Sequence, residues 1–330
     1  MSVLKIHLTY QCTARCDHCR FGCINEESNV IDHDLVLSCV NDLKKYNDLE
    51  LVVLMGGEPG LFPNLAHSLT SEINKLGIAI RIETNAFWAT SMESAYEFLD
   101  PLYSSNASVM FSLDSFHEPF VSQDCIERAI GASDALKGRY NIETAYMDIQ
   151  NIHHQCDIRT NELLKGMEDR LDRSPCCQIY KGNVFYNGRA SVLLADQVSE
   201  GRGVPRDLCT EVPWWVNSSI ETLELLELDP EGYLSKGCGI AFANVKGTPI
   251  KEIMVSYDAR KHPIFSTLIE SGPIGLAKEA VDLGYVMKKD YADKCHLCQE
   301  VRNILRIKYS DYLVPLQHYK LSEKTQCLVA

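Results

Sequence analysis

The run CTARCDHC at residues 12–19 places three cysteines, Cys12, Cys16 and Cys19, within one short segment. Three thiolates at this spacing can bind three irons of a cubic 4Fe-4S cluster and leave the fourth iron without a protein ligand. The run follows VLKIHLT at residues 3–9, an apolar segment with the composition of a strand. We therefore expect the cysteines on a loop at the carboxyl end of a first strand, where α/β proteins place their functional sites.

Two other uses of these cysteines are weighed against the cluster. Zinc could use two of them, but a zinc site takes four ligands, usually as two separated pairs. Cys23 follows four residues after Cys19, so Cys16, Cys19 and Cys23 form a second triplet with the reverse order of spacings. We interpret Cys23 as a neighbouring thiol rather than a ligand.

The first half of the chain alternates strand-like and helix-like segments, which predicts an α/β fold with a parallel sheet and crossover helices. Further strands are predicted at residues 49–55, 78–84, 107–114 and 142–150. Helices are predicted at residues 32–46, 63–76, 91–102, 122–136 and 161–171. The pattern contains at least five strand–helix repeats, and its last helix is expected to support a sixth strand.

A second motif, GGEP at residues 56–59, follows the strand predicted at residues 49–55. CxxxCxxC after one strand and GGEP after the next resemble the radical S-adenosylmethionine (SAM) enzymes, over roughly residues 1–150. The resemblance implies a partial TIM-like barrel of six β/α units and a 4Fe-4S cluster whose open iron binds SAM. It also implies cleavage of SAM to a 5'-deoxyadenosyl radical that removes a hydrogen atom from a substrate, with a flavodoxin- or ferredoxin-type electron donor.

The same resemblance assigns the SAM contacts. Gly56, Gly57 and Glu58 would lie at the amino group of SAM, because glycine lets the backbone approach a ligand closely. Polar side chains that end the next two strands would face the same cavity, with Ser112 as the expected ribose contact and Asp114 next. The remaining expected contacts are Asn85 and, near the adenine, His18. The alternative interpretation is that the strand-end residues are ordinary caps and turns.

Four cysteines in the last third of the chain predict a second metal site. Cys295 and Cys298 form a CxxC pair, Cys238 follows the turn DPEGY, and Cys209 lies upstream of that turn. Four thiolates can fully ligate a second 4Fe-4S cluster. The arrangement resembles the auxiliary-cluster modules called twitch domains, half-sized relatives of SPASM domains, although five residues rather than four separate Gly232 from Cys238. Zinc remains the alternative for the same four thiolates.

The regular alternation ends near residue 176, where short strands, turns and the adjacent Trp214 and Trp215 begin. We expect a radical SAM partial-barrel domain at residues 1–175. A smaller α+β module of the twitch or SPASM kind would occupy residues 176–330 and end in a helix around residues 293–309. Cys176 and Cys177 are competing ligands for the second site, or one of them donates a hydrogen atom to a product radical.

Composition narrows the class of protein. A chain of 330 residues with 45% hydrophobic content can build one large domain or one domain with an appendage. No signal peptide is expected, and no stretch of about 20 apolar residues is present, so we expect the 14 cysteines to be reduced thiols and metal ligands in the cytoplasm. A formal net charge of −13 disfavours nucleic acid as a partner, and no membrane association is expected.

The sequence therefore predicts a radical SAM enzyme with one SAM-binding cluster and one auxiliary cluster. Its expected substrate is a ribosomally made precursor peptide, modified by epimerisation or by a new bond to a side chain. The alternative is a dehydrogenase or epimerase of a small sugar or aminocyclitol. A non-catalytic iron–sulfur or zinc protein is the distant third interpretation.

Overall fold

The computed structural model describes residues 2–26, 28–171, 177–212 and 218–319. Cys176, Trp214 and Trp215, which the sequence analysis singled out, lie outside these ranges.

One nine-stranded sheet organises the chain, in the order β11-β10-β9-β1-β2-β3-β4-β5-β6. The sheet is parallel from β9 through β1 to β6, and β10 and β11 join it as antiparallel strands. A separate pair, β7 and β8, is antiparallel. The strands are β1 (Ser2–His7), β2 (Leu49–Met55), β3 (Ala79–Thr84), β4 (Ser108–Ser112), β5 (Arg139–Tyr146), β6 (Ile179–Asn183), β7 (Glu211–Val212), β8 (Ser218–Ser219), β9 (Leu225–Leu228), β10 (Tyr233–Ser235) and β11 (Ala241–Asn244).

Five helices alternate with the first six strands, as a parallel sheet with crossover connections requires. They are α1 (His33–Asn47), α2 (Pro63–Lys75), α3 (Met92–Ser104), α4 (Gln123–Ala135) and α5 (Gln155–Leu171). The later helices are α6 (Ala190–Leu193), α7 (Ile250–Ser256), α8 (Pro263–Ser271), α9 (Pro273–Asp282) and α10 (Lys294–Leu305). No helix within the described ranges is long and apolar enough to cross a membrane.

This architecture confirms the predicted α/β class with a parallel, partial-barrel sheet. The predicted boundaries of the first four strands and first four helices agree with the structure to within a few residues. The strand predicted at residues 142–150 begins and ends earlier in the structure, where β5 spans Arg139–Tyr146. It ends at Tyr146 because the Asp157 carboxylate accepts hydrogen bonds from the backbone N–H groups of Met147, at 2.6 Å, and Asp148, at 3.1 Å, which turns the chain out of the sheet.

Two features of the second half were not predicted. Helices α7, α8 and α9 were missed, and β9 pairs in parallel with β1 rather than forming a sheet of its own. The division at residue 175 stays a prediction, although the sheet itself continues across it. Because β9 lies beside β1, Glu227 reaches Arg20 of the first cysteine loop, with 2.9 Å between Arg20 Nη2 and Glu227 Oε1.

Two apolar cores lie on opposite faces of the sheet. The outer core packs α1 to α5 and α7 against side chains such as Leu4 and Ile6 of β1, whereas the inner core contains Val3 of the same strand and helices α8 to α10. The alternation follows from the period of two along a strand. β1 also buries Lys5 and His7, which places polar side chains inside the barrel.

Candidate active site

The first cysteine loop is held to the GGEP turn by backbone hydrogen bonds. The N–H of Gly57 donates to the Thr9 carbonyl at 2.7 Å, and the N–H of Glu58 donates to the Gln11 carbonyl at 2.9 Å. A Cβ on Gly57 would lie 1.8 Å from the Gln11 carbonyl oxygen, so only glycine fits this contact. Gly56, at φ +127°, likewise leaves no room for a side chain beside Thr9. In this structure the glycines thus let two strand ends meet, immediately before Cys12.

Glu58 links that turn to the end of β3. Its carboxylate accepts a hydrogen bond from the Thr84 hydroxyl at 2.6 Å and one from the Asn85 backbone N–H at 2.8 Å. The Gly60 N–H is a third donor, at 2.8 Å. Burial raises the pKa of Glu58, and these three donors oppose that rise. Glu58 therefore acts here as an internal anchor of the strand ends.

Asn85 carries the contact onward to the cysteine loop. Its side-chain amide lies 3.2 Å from the Thr13 hydroxyl and 3.8 Å from the Cys12 sulfur. Its side-chain oxygen accepts from the Phe87 N–H at 3.0 Å, so both ends of the amide are fixed. Asn85 thus helps to fix the position of the cysteine loop.

At the end of β4, Asp114 is surrounded by donors of the chain. Its carboxylate accepts from the backbone N–H groups of Phe116 at 3.0 Å and Ala145 at 3.2 Å, and it lies 2.9 Å from His117 Nδ1. Although burial opposes ionisation, the neighbouring His117 holds the pKa of Asp114 at about 2. The ring of His18 packs against Phe116 and His117 at 4.8 and 5.0 Å, and burial lowers the pKa of His18 to about 4.

All ten residues predicted for the first site line one cavity at the carboxyl ends of the strands. They are Cys12, Cys16, Cys19, His18, Gly56, Gly57, Glu58, Asn85, Ser112 and Asp114. The enclosed space is about 230 Å³, and the cavity opens to solvent. None of the described residues hydrogen bonds to the Ser112 hydroxyl, which therefore remains available to a ligand.

The sequence analysis missed Arg189, which comes from the turn YNGRA. Its guanidinium is buried and donates to the backbone carbonyls of Cys16, at 2.7 Å, and Cys23. The backbone N–H of Arg189 donates to the Cys19 carbonyl at 2.9 Å. Arg189, from the second half of the chain, therefore holds the cysteine loop in place by hydrogen bonds to three of its carbonyls. A basic residue in a glycine turn was the only sequence signal.

The cavity also contains two carboxylates that were not predicted, Glu83 of β3 and Glu143 of β5. Lys5 forms an ion pair with Glu83 at 3.9 Å, and no hydrogen bond from a described residue reaches the side-chain carboxylate of Glu143. Burial and the neighbouring Glu83 raise the pKa of Glu143 to about 7. Alternating polar positions in IRIET and NIETAY were the available signal.

The four C-terminal cysteines lie around a second cavity. Cys209, Cys238, Cys295 and Cys298 all line it. Burial raises the pKa of Cys209 to about 12 and that of Cys238 to about 11, and the charge of the neighbouring thiols acts in the same direction. Such a cluster of buried thiols is chemically suited to a metal, because a metal ion compensates the charge of the thiolates.

Positive charge surrounds this second cavity. Cys295 and Cys298 occupy the beginning of α10, whose N-terminal end favours negative charge. Four basic side chains line the cavity with the cysteines: Arg20, Lys236, Lys294 and Arg302. Burial lowers the pKa of Lys236 to about 7, so the two arginines and Lys294 supply most of the positive charge. Arg302 is buried and donates to the Cys238 carbonyl. These charges favour a group with a net negative charge, such as a metal centre with four thiolates.

Among the residues that the structure describes, Cys16, His18 and His117 are the only three potential ligands whose donor atoms all lie within 4.8 Å of one another. The four C-terminal thiols can serve zinc or an iron–sulfur cluster.

Three other cysteines lie away from these cavities, whereas Cys23 lines the first. Cys39 and Cys125 are buried on α1 and α4 in the outer core. Cys177 packs against the same outer core and lines neither cavity. Cys23 is buried, lines the first cavity and contacts the Gly56 carbonyl at 3.8 Å. It is thus a neighbour of the cysteine loop, as its spacing suggested.

A parallel partial barrel with three cysteines on the loop after its first strand defines an iron–sulfur barrel protein. Residues 6–146 match the family described as the Radical SAM superfamily. The matched residues, which carry the cysteine loop and the GGEP turn, form a radical SAM domain.

Two curated relatives are similar over parts of the chain. YydG of Bacillus subtilis (strain 168), named as a peptide biosynthesis protein, is 25% identical over 172 residues, which cover 51% of this chain and 51% of YydG. The tungsten-containing aldehyde ferredoxin oxidoreductase cofactor-modifying protein of Pyrococcus furiosus is 31% identical over 86 residues, 26% of this chain and 24% of that protein. The matched part thus spans about half of the first relative and a quarter of the second.

Among solved structures, Streptococcus suis SuiB bound to the precursor peptide SuiA is similar with a TM-score of 0.50. The superposition covers 84% of this chain and 72% of that chain at 12% sequence identity. At this identity the likeness concerns the fold alone.

Proposed function

We propose that this protein is a radical SAM enzyme that modifies a peptide. The observation that carries the proposal is the convergence of the CxxxCxxC loop, the GGEP turn and the polar ends of β3 and β4 on one cavity. These residues are far apart in the sequence, and the fold brings them to the wall of the same cavity.

The donor set of the first site fits a 4Fe-4S cluster with SAM. Cys12, Cys16 and Cys19 would hold three irons, and the Gly56–Gly57 turn and the Ser112 hydroxyl would contact SAM. When bound, the cluster and SAM supply a 5'-deoxyadenosyl radical that removes a hydrogen atom from the substrate. The residues of the chain orient these groups: Glu58 and Asn85 fix the strand ends, and Arg189 fixes the loop.

We further propose a second 4Fe-4S cluster on Cys209, Cys238, Cys295 and Cys298. The shared cavity and the basic side chains around it support this assignment. A cluster in this place would belong to a C-terminal module that begins after residue 175.

A ribosomally made precursor peptide is the proposed substrate, with epimerisation or a new side-chain bond as the outcome. Support comes from YydG, which is named for peptide biosynthesis, and from SuiB, which shares the fold and was crystallised with a precursor peptide. The cavity mouth is open, so a residue of an extended chain can enter. The reduced thiols suit a cytoplasmic location, where a flavodoxin- or ferredoxin-type protein would supply the electron.

The test begins with anaerobically reconstituted protein, SAM and dithionite, with 5'-deoxyadenosine measured by chromatography. The wild-type protein should form 5'-deoxyadenosine, and the triple variant C12A/C16A/C19A should not, while it keeps the iron of the second site. The variant C295A/C298A should lose roughly half of the bound iron, because each cluster carries four irons. C39A, from the outer core, is the matched control and should keep all of it.

The outcomes separate the two assignments. 5'-Deoxyadenosine from the triple variant would disprove the first site, and unchanged iron in C295A/C298A would disprove the second. The substrate is tested by coexpression with a precursor peptide that is encoded next to this protein's gene. Mass spectrometry of that peptide, with deuterium oxide labelling, then detects its modification. Turnover of a sugar or aminocyclitol without any change in a peptide would replace the peptide proposal.

A further inference from the structure

β6 forms one end of the sheet, and no other strand of the described part of the chain pairs with its outer edge. All five residues of Ile179–Asn183 are exposed. The strand pairs only with β5, in parallel. An unpaired edge presents a row of backbone donors and acceptors that another extended chain can use.

Alternate residues of β6 point their backbone groups toward that outer edge. The Gln178 carbonyl accepts from the Ile142 N–H at 2.9 Å, and the Val184 N–H donates to the Tyr146 carbonyl at 2.7 Å, so the even-numbered residues bond to β5. Because backbone groups alternate sides along a strand, the N–H and C=O groups of residues 179, 181 and 183 point the other way.

The edge leads directly into the candidate active site. Gly182, Asn183 and Val184, at the carboxyl end of β6, line the same cavity as the CxxxCxxC loop. No atom lies within 4 Å of a Cβ placed on Gly182, so the space above the strand is open. Ile179 and Tyr180 remain 39% and 36% exposed, which gives a bound chain apolar side chains to contact.

We propose that the outer edge of β6 binds an extended segment of the peptide substrate as an added strand. The inference rests on the peptide function proposed above, and it names the element that recognises the peptide. Main-chain hydrogen bonds to residues 179, 181 and 183 would hold the segment. The segment would then pass its next residue into the cavity, opposite the cysteine loop.

The structure offers a variant that alters only the edge. Lys181→Pro removes one outward N–H, and proline is tolerated on an edge strand when its N–H would face solvent. Lys181→Ala is the matched control, because it removes the same side chain and keeps the N–H. Circular dichroism and 5'-deoxyadenosine formation without peptide should be unchanged in both variants, because Lys181 lies outside the cavity lining.

The probes are 12-residue peptides from a random displayed library, selected on the reconstituted wild-type protein and labelled with fluorescein. Fluorescence anisotropy should give equal affinities for wild type and K181A. Binding to K181P should be about tenfold weaker, because one hydrogen bond to the peptide is lost. N-methylation along the peptide should weaken binding at every second residue.

Equal binding of all enriched peptides to wild type and K181P, or enrichment of no peptide, would overturn the inference. Failure of wild-type protein to cleave SAM would instead refute the proposed function, so the two failures are distinguishable.

Discussion

The hydroxyl of Thr84 donates a hydrogen bond of 2.6 Å to the carboxylate of Glu58, across the ends of two neighbouring strands. This contact joins the GGEP turn to β3, and Asn85 extends it to the loop that carries Cys12. One buried carboxylate therefore fixes the relative position of the GGEP turn and the end of β3. The energetic cost of its removal is large, because three donors lose their acceptor.

Glu58→Ala should destabilise the protein by about 2–4 kcal/mol, because two backbone N–H groups and one hydroxyl lose their acceptor. Glu58→Gln should retain part of this stability but place an amide NH2 against a donor. Urea unfolding of the apo protein under reducing conditions measures both. If E58A unfolds at the wild-type midpoint, Glu58 does not anchor the strand ends.

Gly57→Ala should abolish reconstitution of the first cluster, because the new methyl group would lie 1.8 Å from the Gln11 carbonyl oxygen and displace the cysteine loop. Gly247→Ala is the control, since no atom lies within 4 Å of a Cβ at that position. Iron content and the cluster absorption after reconstitution are the measurements. Full iron in G57A would contradict the role of this contact.

Ser112 and Asp114 should respond differently to substitution, although both line the cavity. Ser112→Ala should leave stability within about 0.5 kcal/mol and weaken SAM binding about tenfold, because its hydroxyl makes no hydrogen bond to a described residue. Asp114→Asn should cost about 2–3 kcal/mol, because four donors surround the carboxylate.

Calorimetric titration with SAM and urea unfolding separate these effects. An S112A protein that binds SAM as tightly as wild type would remove Ser112 from the cofactor contacts.

Glu143 should make stability depend on pH. Burial and Glu83 raise its pKa to about 7, whereas a glutamate in the unfolded chain titrates near 4.3. Between these values the folded protein binds the extra proton, so wild-type stability falls as the pH rises through this range. Glu143→Gln should remove that fall and be about 1–3 kcal/mol more stable than wild type at pH 8, with no gain below pH 4. Urea midpoints from pH 4 to pH 8 give the measurement, and parallel curves would contradict it.

Much of the fold follows from local pattern. The strand predicted at residues 49–55 matches β2, and the helix predicted at residues 32–46 matches α1, which Asp32 caps by accepting a hydrogen bond from the Leu35 N–H at 2.8 Å. The helices at residues 250–282 were missed because they are short and lie among turns. The role of Arg189 could not be predicted from the sequence, because it depends on carbonyls more than 160 positions away along the chain.

The sequence by itself determined the ligand chemistry and the order of strands and helices, because cysteine spacing and apolar periodicity are local properties. Only the tertiary structure decided that β9 completes the sheet beside β1 and that four distant thiols share one cavity. It also decided that the GGEP glycines pack against the cysteine loop. Such contacts arise from packing between segments far apart in the chain, and no local pattern encodes which segments will meet.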